Sequence, residues 1–273
     1  SECRVSTDPK NDKTLRGYEV PARRSGRLGP VPPHAAAVSR EDIGHRPRIV
    51  RGNEMSSSYS YISPESVFAQ TALVAHDLAH RQVFRTKRPG EILGRLAGNI
   101  GVGMSYGWWM DKHTRHHNNP NHDDLDPDVS PEVLIWATKS ALGRRGLAAF
   151  VTRHQAGLFF PLLTLLGIDL KVSSVKAIRA GNVKRPVLEA ALLVVHAVAY
   201  LTALFVVLTP LQAVAFLVVH QGLFGVYLGM TFAPNHKGMP HPTGDEDYLR
   251  KQVLTSRNVH GGRFVDAALG GLN

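Results

Sequence analysis

The sequence predicts an all-α fold, a multi-pass membrane helical bundle carrying a histidine-rich helical cap on its cytoplasmic side. Two apolar stretches, residues 187–208 and 211–233, predict the bundle. Each is a little over twenty residues long, and at about 1.5 Å per residue such a helix crosses the roughly 30 Å of a bilayer core. Only Thr209 and Pro210 separate them, so they form a hairpin whose outer ends share one side. Lys184, Arg185 and Lys237 stand at those ends, and basic residues flanking spans mark the cytoplasmic face. The cap is predicted by histidines recurring at helical spacing, "HDLAH" at residues 76–80 and "HTRHH" at residues 113–117.

Composition narrows the function classes. The chain has 273 residues, and its 43% hydrophobic content is enough for a sizeable core. Lys plus Arg number 32 against 22 Asp plus Glu, a formal charge of +10, which fits either nucleic acid or an anionic membrane surface. Here the basic runs lie beside apolar stretches rather than among aromatics on one face, the pattern of membrane topology, so no nucleic acid partner is expected. Cys3 is the only cysteine. Neither an intrachain disulfide nor a thiolate metal site can form, and any metal must be held by nitrogen and oxygen. The first thirty residues lack the apolar core of a secretory signal.

Residues 1–63 are polar, rich in Pro, Gly, Ser and Arg, and read as a disordered or adventitious leader, with Met55 a candidate start. Residues 64–273 form the expected functional domain. "SVFAQTALVAHDLAH" shows an apolar face at helical spacing. Pro89-Gly90 is expected to break the chain before "EILGRLAGNIGVGMSYGWWM", whose Tyr106, Trp108 and Trp109 suit a membrane-water boundary. A helix is expected from Ser130, where Pro131 and Glu132 supply a start signal. "HQAGLFFPLLTLLGIDL", residues 154–170, is apolar but short and reads as a re-entrant or interfacial helix. The basic connection "KVSSVKAIRAGNVKRP" then leads into the two spans, which carry polar interruptions at Glu189, His196, His220 and Gln221.

Residues four apart on a helix share a face, with Cβ atoms roughly 6 Å apart. His76 and His80 can therefore serve one metal, and His113, His116 and His117 repeat the spacing with a further ring. Two such helices facing each other bring five imidazoles to one pocket, and His236 in "NHKGMP" is a sixth. A structural zinc takes four ligands and a catalytic zinc three, so this number points to two metal ions. Neutral nitrogen donors suit iron, zinc or copper better than magnesium or calcium. Asp77, beside His76, is placed to orient a ring, and Asn235, beside His236, is assigned a similar supporting role. His122 reads as a solvated loop residue. His154, His196, His220, His241 and His260 are not expected to be ligands; His196 and His220 can face each other across the hairpin as hydrogen-bonded core residues.

From about Val67 to Asn273, the stretches "HDLAHRQVF", "GWWMDKHTRHHNNPN", "DPDVSP", "LFFPLLTL", "FAPNHKGMP" and "RKQVLTSRNVHGG" together resemble the membrane fatty-acid desaturases, in particular the actinobacterial acyl desaturases. The resemblance implies a desaturase-like domain over residues 64–273 and a non-haem diiron centre held by histidine boxes facing the cytoplasm at the cell membrane. By motif position His76 and His80 match the first box, His113, His116 and His117 the second, and His236 the additional ligand in the loop before the third. It further implies O2 as co-substrate, a fatty acyl substrate carried by CoA, carrier protein or lipid, and electrons from a ferredoxin-like or cytochrome-like donor. The chemistry is consistent with the residues, because an unactivated C–H bond offers acid or base no handle and the oxidant needs a dry, apolar surround. On this view Arg81, Arg85, Lys87 and Arg88 meet lipid headgroups or an acidic thioester headgroup, and Arg250, Lys251 and Arg257 dock the electron donor.

Three departures from the family pattern stand out. Leu78 and Ala79 occupy the first box where the family has a small pair ending in Gly. The polar leader stands where the family has spans, and the chain ends at "LGGLN" before a third histidine box. A truncated chain with an incomplete, inactive centre is the resulting expectation. Two other readings compete. A hydroxylase of an alkane, carotenoid or lipid shares the metal site, but "NHKGMP" and "TSRNV" favour desaturation. A membrane metal-binding or transport protein would carry its ligands at mid-membrane, whereas these clusters flank the basic ends.

Overall fold

Prolines and small polar residues decide where the helices begin. The computed structural model describes residues 63–130, 133–244 and 246–272; apart from Ser63, the expected leader, with Cys3 and Met55, lies outside them. The first helix, α1 (Pro64–Ala79), starts on a proline whose missing N–H would have had no helical partner. It buries Ala69, Ala72, Leu73, Ala75, His76 and Leu78, and the chain turns away at Arg81, φ 58°. The next break falls at residues 81–86 and not at Pro89-Gly90, which occupy the first turn of α2 (Lys87–Arg95). A proline there loses no hydrogen bond, and a Cβ on Gly90 would stand only 3.3 Å from the Leu78 carbonyl.

The second helix runs on into a π-helical turn (Leu96–Val102) that ends at Gly103, φ 76°. The third, α3 (Tyr106–Asn118), begins under Ser105, whose hydroxyl accepts the Trp108 N–H at 3.2 Å. The helix expected from Ser130 is reduced to one turn, α4 (Thr138–Ala141); Pro131 and Glu132 lie outside the described residues. Gln155 supplies a reason, since its side chain takes both the N–H and the C=O of Ile135 at 2.9 Å, the groups a helix would need.

The apolar segment near residue 160 forms two helices, α5 (Gly146–Leu163) and α6 (Leu166–Arg179), bent by 82° at the break between them. Residues 171–179, expected as part of a basic connection, are helical. Glycines on the last long helix admit this elbow: a Cβ at Gly225 would lie 2.3 Å from the Leu163 carbonyl oxygen and 2.9 Å from the Gly167 nitrogen. Backbone meets backbone there, so a larger residue would force the helices apart.

The hairpin appears as expected, as α7 (Pro186–Val207) and α8 (Pro210–His236), with mean hydropathies of 2.4 and 1.7 and lengths sufficient to cross a membrane. Val187 and Leu211 are each 81% exposed, the kind of outward apolar surface that lipid covers. At about 40 Å, α8 outruns the apolar layer by roughly two turns. Asn235 and His236, expected in a loop beyond the span, are therefore the last residues of the helix. Two short helices follow, α9 (Tyr248–Leu254) and α10 (Gly262–Ala268). No strand occurs among the described residues.

The core joins Ala69 and Ala72 of α1 to Val102, Met104, Phe224 and Leu228. Irregular backbone that is buried must have its polar groups satisfied, and carbonyls of the π-turn find side-chain donors. His196 Nδ1 donates to the Ile100 carbonyl at 2.7 Å and Lys171 Nζ to the Val102 carbonyl at 3.0 Å. His196 and His220 both pack on Phe68, at ring-centroid distances of 6.0 and 4.5 Å, and the Tyr200 hydroxyl hydrogen-bonds His220. They serve the core of the hairpin and lie apart from the cap.

Candidate metal centre

Helical spacing puts His76 and His80 on one face of α1 and its end, and His113 and His117 on one face of α3. The fold turns these faces toward each other. Ring centroids lie 4.5 Å apart for His76 and His80, 4.3 Å for His113 and His117, and 4.7 Å across the helices for both His76–His113 and His80–His117. Ligand nitrogens of all four fall within 4.8 Å of one another. His80 Nε2 and His113 Nε2 converge to 2.8 Å, and Trp109 stacks on His113 at 4.4 Å, fixing its plane.

The remaining two expected ligands form a second group. His116 points to the other side of α3, with its ring 4.6 Å from that of His236 and 5.4 Å from that of His117. Its Nδ1 sits 2.9 Å from both oxygens of the buried Asp126. His236 Nδ1 donates to the Thr255 carbonyl at 3.1 Å. In both rings Nδ1 is thus engaged, which leaves Nε2 as the atom able to bind a metal. Four histidines thus converge on one another, while His116 stands with Asp126 and Asp128 in a second cluster able to hold a metal, its ring facing that of His236.

Of the supporting residues, Asp77 stands 3.6 Å from His76 Nδ1, outside hydrogen-bond distance. Asn235 donates to the Leu272 carbonyl at 3.0 Å, while its buried Oδ1 makes no hydrogen bond. His122 accepts the Asp124 N–H at 3.2 Å as a loop residue outside both groups. Asp126, Asp128, Asn121 and Thr255 are additions from the structure. The signal for the first two was the run of aspartates, Asp123, Asp124, Asp126 and Asp128, directly after the histidines.

Electrostatics favours neutral imidazoles. Burial, then the neighbouring His80 and His117, pushes His76 down to about 3; burial, His80 and His116 push His117 down to about 4. His113 and His80 are lowered as well, chiefly by burial. Burial alone would raise the Asp128 carboxyl, but Lys112, 2.9 Å away, and His116 hold it at about 2. Because the folded histidines titrate below the ordinary 6.5, the unfolded chain binds more protons between 6.5 and about 4, and stability contributed by these groups is complete above 6.5 and lost as pH falls. Chelator-treated protein is expected to melt at lower temperature at about pH 5 than at about pH 7.5; a flat profile would mean that the rings are solvated.

The residues fit a nitrogen-bound transition metal. His76 Nδ1 is buried without a hydrogen-bond partner, a costly arrangement unless something occupies it. Four imidazoles without thiolate suit iron, zinc or copper. Five of the six histidines, His80 excepted, also line a cavity of about 570 Å3 whose other walls include Met104, Leu162, Leu163, Leu166, Leu228 and Phe232.

Comparison with known proteins gives a consistent picture. A profile of the fatty acid desaturase family matches residues 65–273. An acyl-lipid (9-3)-desaturase of Physcomitrium patens is 28% identical over 215 residues, covering 76% of this chain and 41% of that protein. A Delta(8)-fatty-acid desaturase of Helianthus annuus is 25% identical over 74% of this chain and 48% of its own length, and the Delta(6)-fatty-acid desaturase fat-3 of Caenorhabditis elegans is 25% identical over 75% and 50%. The chain spans half or less of the length of these relatives. No solved structure matches it.

Proposed function

Because the chain belongs to the fatty acid desaturase family, we propose that it contributes the metal-binding and acyl-binding parts of an enzyme that converts –CH2–CH2– in a fatty acyl chain to –CH=CH–. The full reaction takes up O2, two electrons and two protons and releases two water molecules, with the electrons drawn from a ferredoxin-like or cytochrome-like donor. The carrying observation is the meeting of ligand nitrogens and apolar wall in one cavity. His76, His80, His113 and His117 would hold one iron, and His116 and His236 would contribute to a second. What the metal pair supplies when bound is the activation of O2 against an unactivated C–H bond. The chain's own side chains do the rest: Met104, Leu163 and Phe232 exclude water and align the acyl chain, while Trp109 and Asp126 fix ring planes.

The membrane reading follows α7 and α8, with the histidines at the end marked by Lys184, Arg185 and Lys237 and hence facing the cytoplasm. Donor docking falls near α9. Lys251 donates to the Asn118 carbonyl and Arg257 to the Lys237 carbonyl, both at 2.6 Å, which fastens their charges beside the ends of α3 and α8, and Arg250 is exposed. These three cations give an acidic carrier a landing site next to His117.

Expression in a host of defined fatty acid content, followed by gas chromatography of its acyl chains and iron measurement on the purified protein, tests the proposal. Iron in the purified protein is the expected result, and a chain that takes up no iron overturns the proposal. New double bonds would overturn the expectation of an inactive centre drawn from the sequence, and hydroxylated chains would favour the hydroxylase reading. The four-plus-two division also predicts biphasic metal loss to a chelator, one equivalent slow and one fast. A single phase would contradict the assignment of separate groups.

A further inference from the structure

Asn121 and Asp126 belong to a loop between α3 and α4, yet they reach both members of the second histidine group. We infer that these two are positioning residues, a clasp that sets His116 against His236 and so determines whether the second metal can be held; this rests on the reading of the histidine groups as metal sites. Asp126 is 1% exposed. Besides His116 Nδ1 it accepts the N–H of Asn121 and the N–H of Asp128, each at 2.8 Å, so its oxygens are occupied by hydrogen-bond donors and it acts through the ring rather than on the metal. Asn121 is 2% exposed and adopts φ 59°, a left-handed conformation that asparagine tolerates better than most residues. That turn aims its Nδ2 at the His236 carbonyl, 2.8 Å away.

The result is a continuous path of hydrogen bonds, from the His116 ring to Asp126, to the Asn121 backbone, and through the Asn121 side chain to the last residue of α8. It joins residues 116 and 236 by way of a loop only a few residues from His116. In the first group the rings of α1 and α3 meet one another directly, His76 on His113 and His80 on His117, and neither Asn121 nor Asp126 hydrogen-bonds any of them. Carboxylate partners of this kind orient a ligating histidine and raise its basicity, and losing one weakens metal affinity by about 10- to 100-fold. Because the clasp touches His116 and His236 but not His76, His80, His113 or His117, its loss is confined to one of two metal equivalents. A general weakening of the fold would lower both.

Titration of chelator-treated full chain in detergent with Co2+, followed by the visible absorption of the imidazole-bound ion, tests this. Wild type is expected to take two equivalents, and His113→Ala assigns the first by losing it. Asn121→Gly keeps the left-handed turn and the N–H to Asp126 while removing the link to α8; Asp126→Asn keeps the shape while removing the charge. Both are expected to weaken the second equivalent by about 10- to 100-fold and leave the first unchanged, with helicity by circular dichroism as in wild type. Equal weakening of both equivalents, an unchanged second equivalent, or a wild type that takes only one overturns the clasp. A wild type that takes no Co2+ overturns the metal-site reading with it.

Discussion

Substituting His113 by alanine is expected to remove one of two metal equivalents from the chain and, with it, any new double bonds in the host. His113 is the hub of the four-histidine group. Its ring lies within 5 Å of the rings of His76, His80 and His117, at 4.7, 4.9 and 4.3 Å, and its Nε2 meets His80 Nε2 at 2.8 Å. Alanine leaves three imidazoles around a gap beside Trp109. Losing a residue that merely supports a ligand already costs about 10- to 100-fold in affinity, so loss of the central ligand is expected to exceed about 100-fold. The comparison variant is His122→Ala, which removes an imidazole from the same histidine-rich stretch but outside both groups; it is expected to keep metal and activity. Iron per chain and acyl unsaturation, measured on both variants, separate the two cases. Retention of the full wild-type iron content by His113→Ala would show that α1 and α3 do not share a metal.

The histidine pairs were legible because helical periodicity is local: spacing of three and four fixes which side chains share a face whatever the rest of the chain does. The hairpin was legible for a similar reason, since span length and apolarity are properties of one segment. What spacing could not give is which face of α3 meets which partner. His116 and His117 are neighbours in sequence yet belong to different groups, because adjacent residues on a helix point about 100° apart and α8 arrives on only one side. Similarly, Pro89-Gly90 reads as a breaker, but a proline in a first turn is harmless, and only the fold shows where the turn begins. The elbow between α5 and α6 depends on Gly225 and Gly167, which are distant in sequence. Asp126 was hidden for a different reason: acidic loop residues are ordinarily solvated, whereas this one is enclosed by the His116 ring and the N–H groups of Asn121 and Asp128.

Glu189 illustrates the same limit and gives the largest expected stability effect. In sequence it is a polar interruption at the start of a span. In the structure it is 1% exposed and accepts from Asn99 Nδ2 at 2.7 Å, Ser105 Oγ at 2.9 Å, Arg95 Nε at 3.3 Å and the Gly107 N–H at 3.3 Å. Two of these partners have second duties at the start of α3. Asn99 Oδ1 accepts the Tyr106 N–H at 3.1 Å, and Ser105 Oγ accepts the Trp108 N–H. One carboxylate thus ties α7 to α2, to the π-turn and to the helix that carries His113, His116 and His117. Glu189→Ala leaves the half-buried Arg95 guanidinium with the Glu91 carboxylate at 3.8 Å and the Glu91 carbonyl at 3.3 Å, and leaves an amide and a hydroxyl without their acceptor; breaking a buried charge pair from one side costs about 3–5 kcal/mol, an upper bound here because the arginine keeps these partners. Glu189→Gln keeps the shape and some hydrogen bonds and is expected to cost less, about 1–3 kcal/mol. Thermal unfolding in detergent should therefore rank wild type above Gln and Gln above Ala, with metal retention falling in the same order as the start of α3 loses its anchor. If all three melt together, the register of α3 is set by the packing of Trp108 and Trp109 against the core, and the carboxylate is only a tolerated guest in the span.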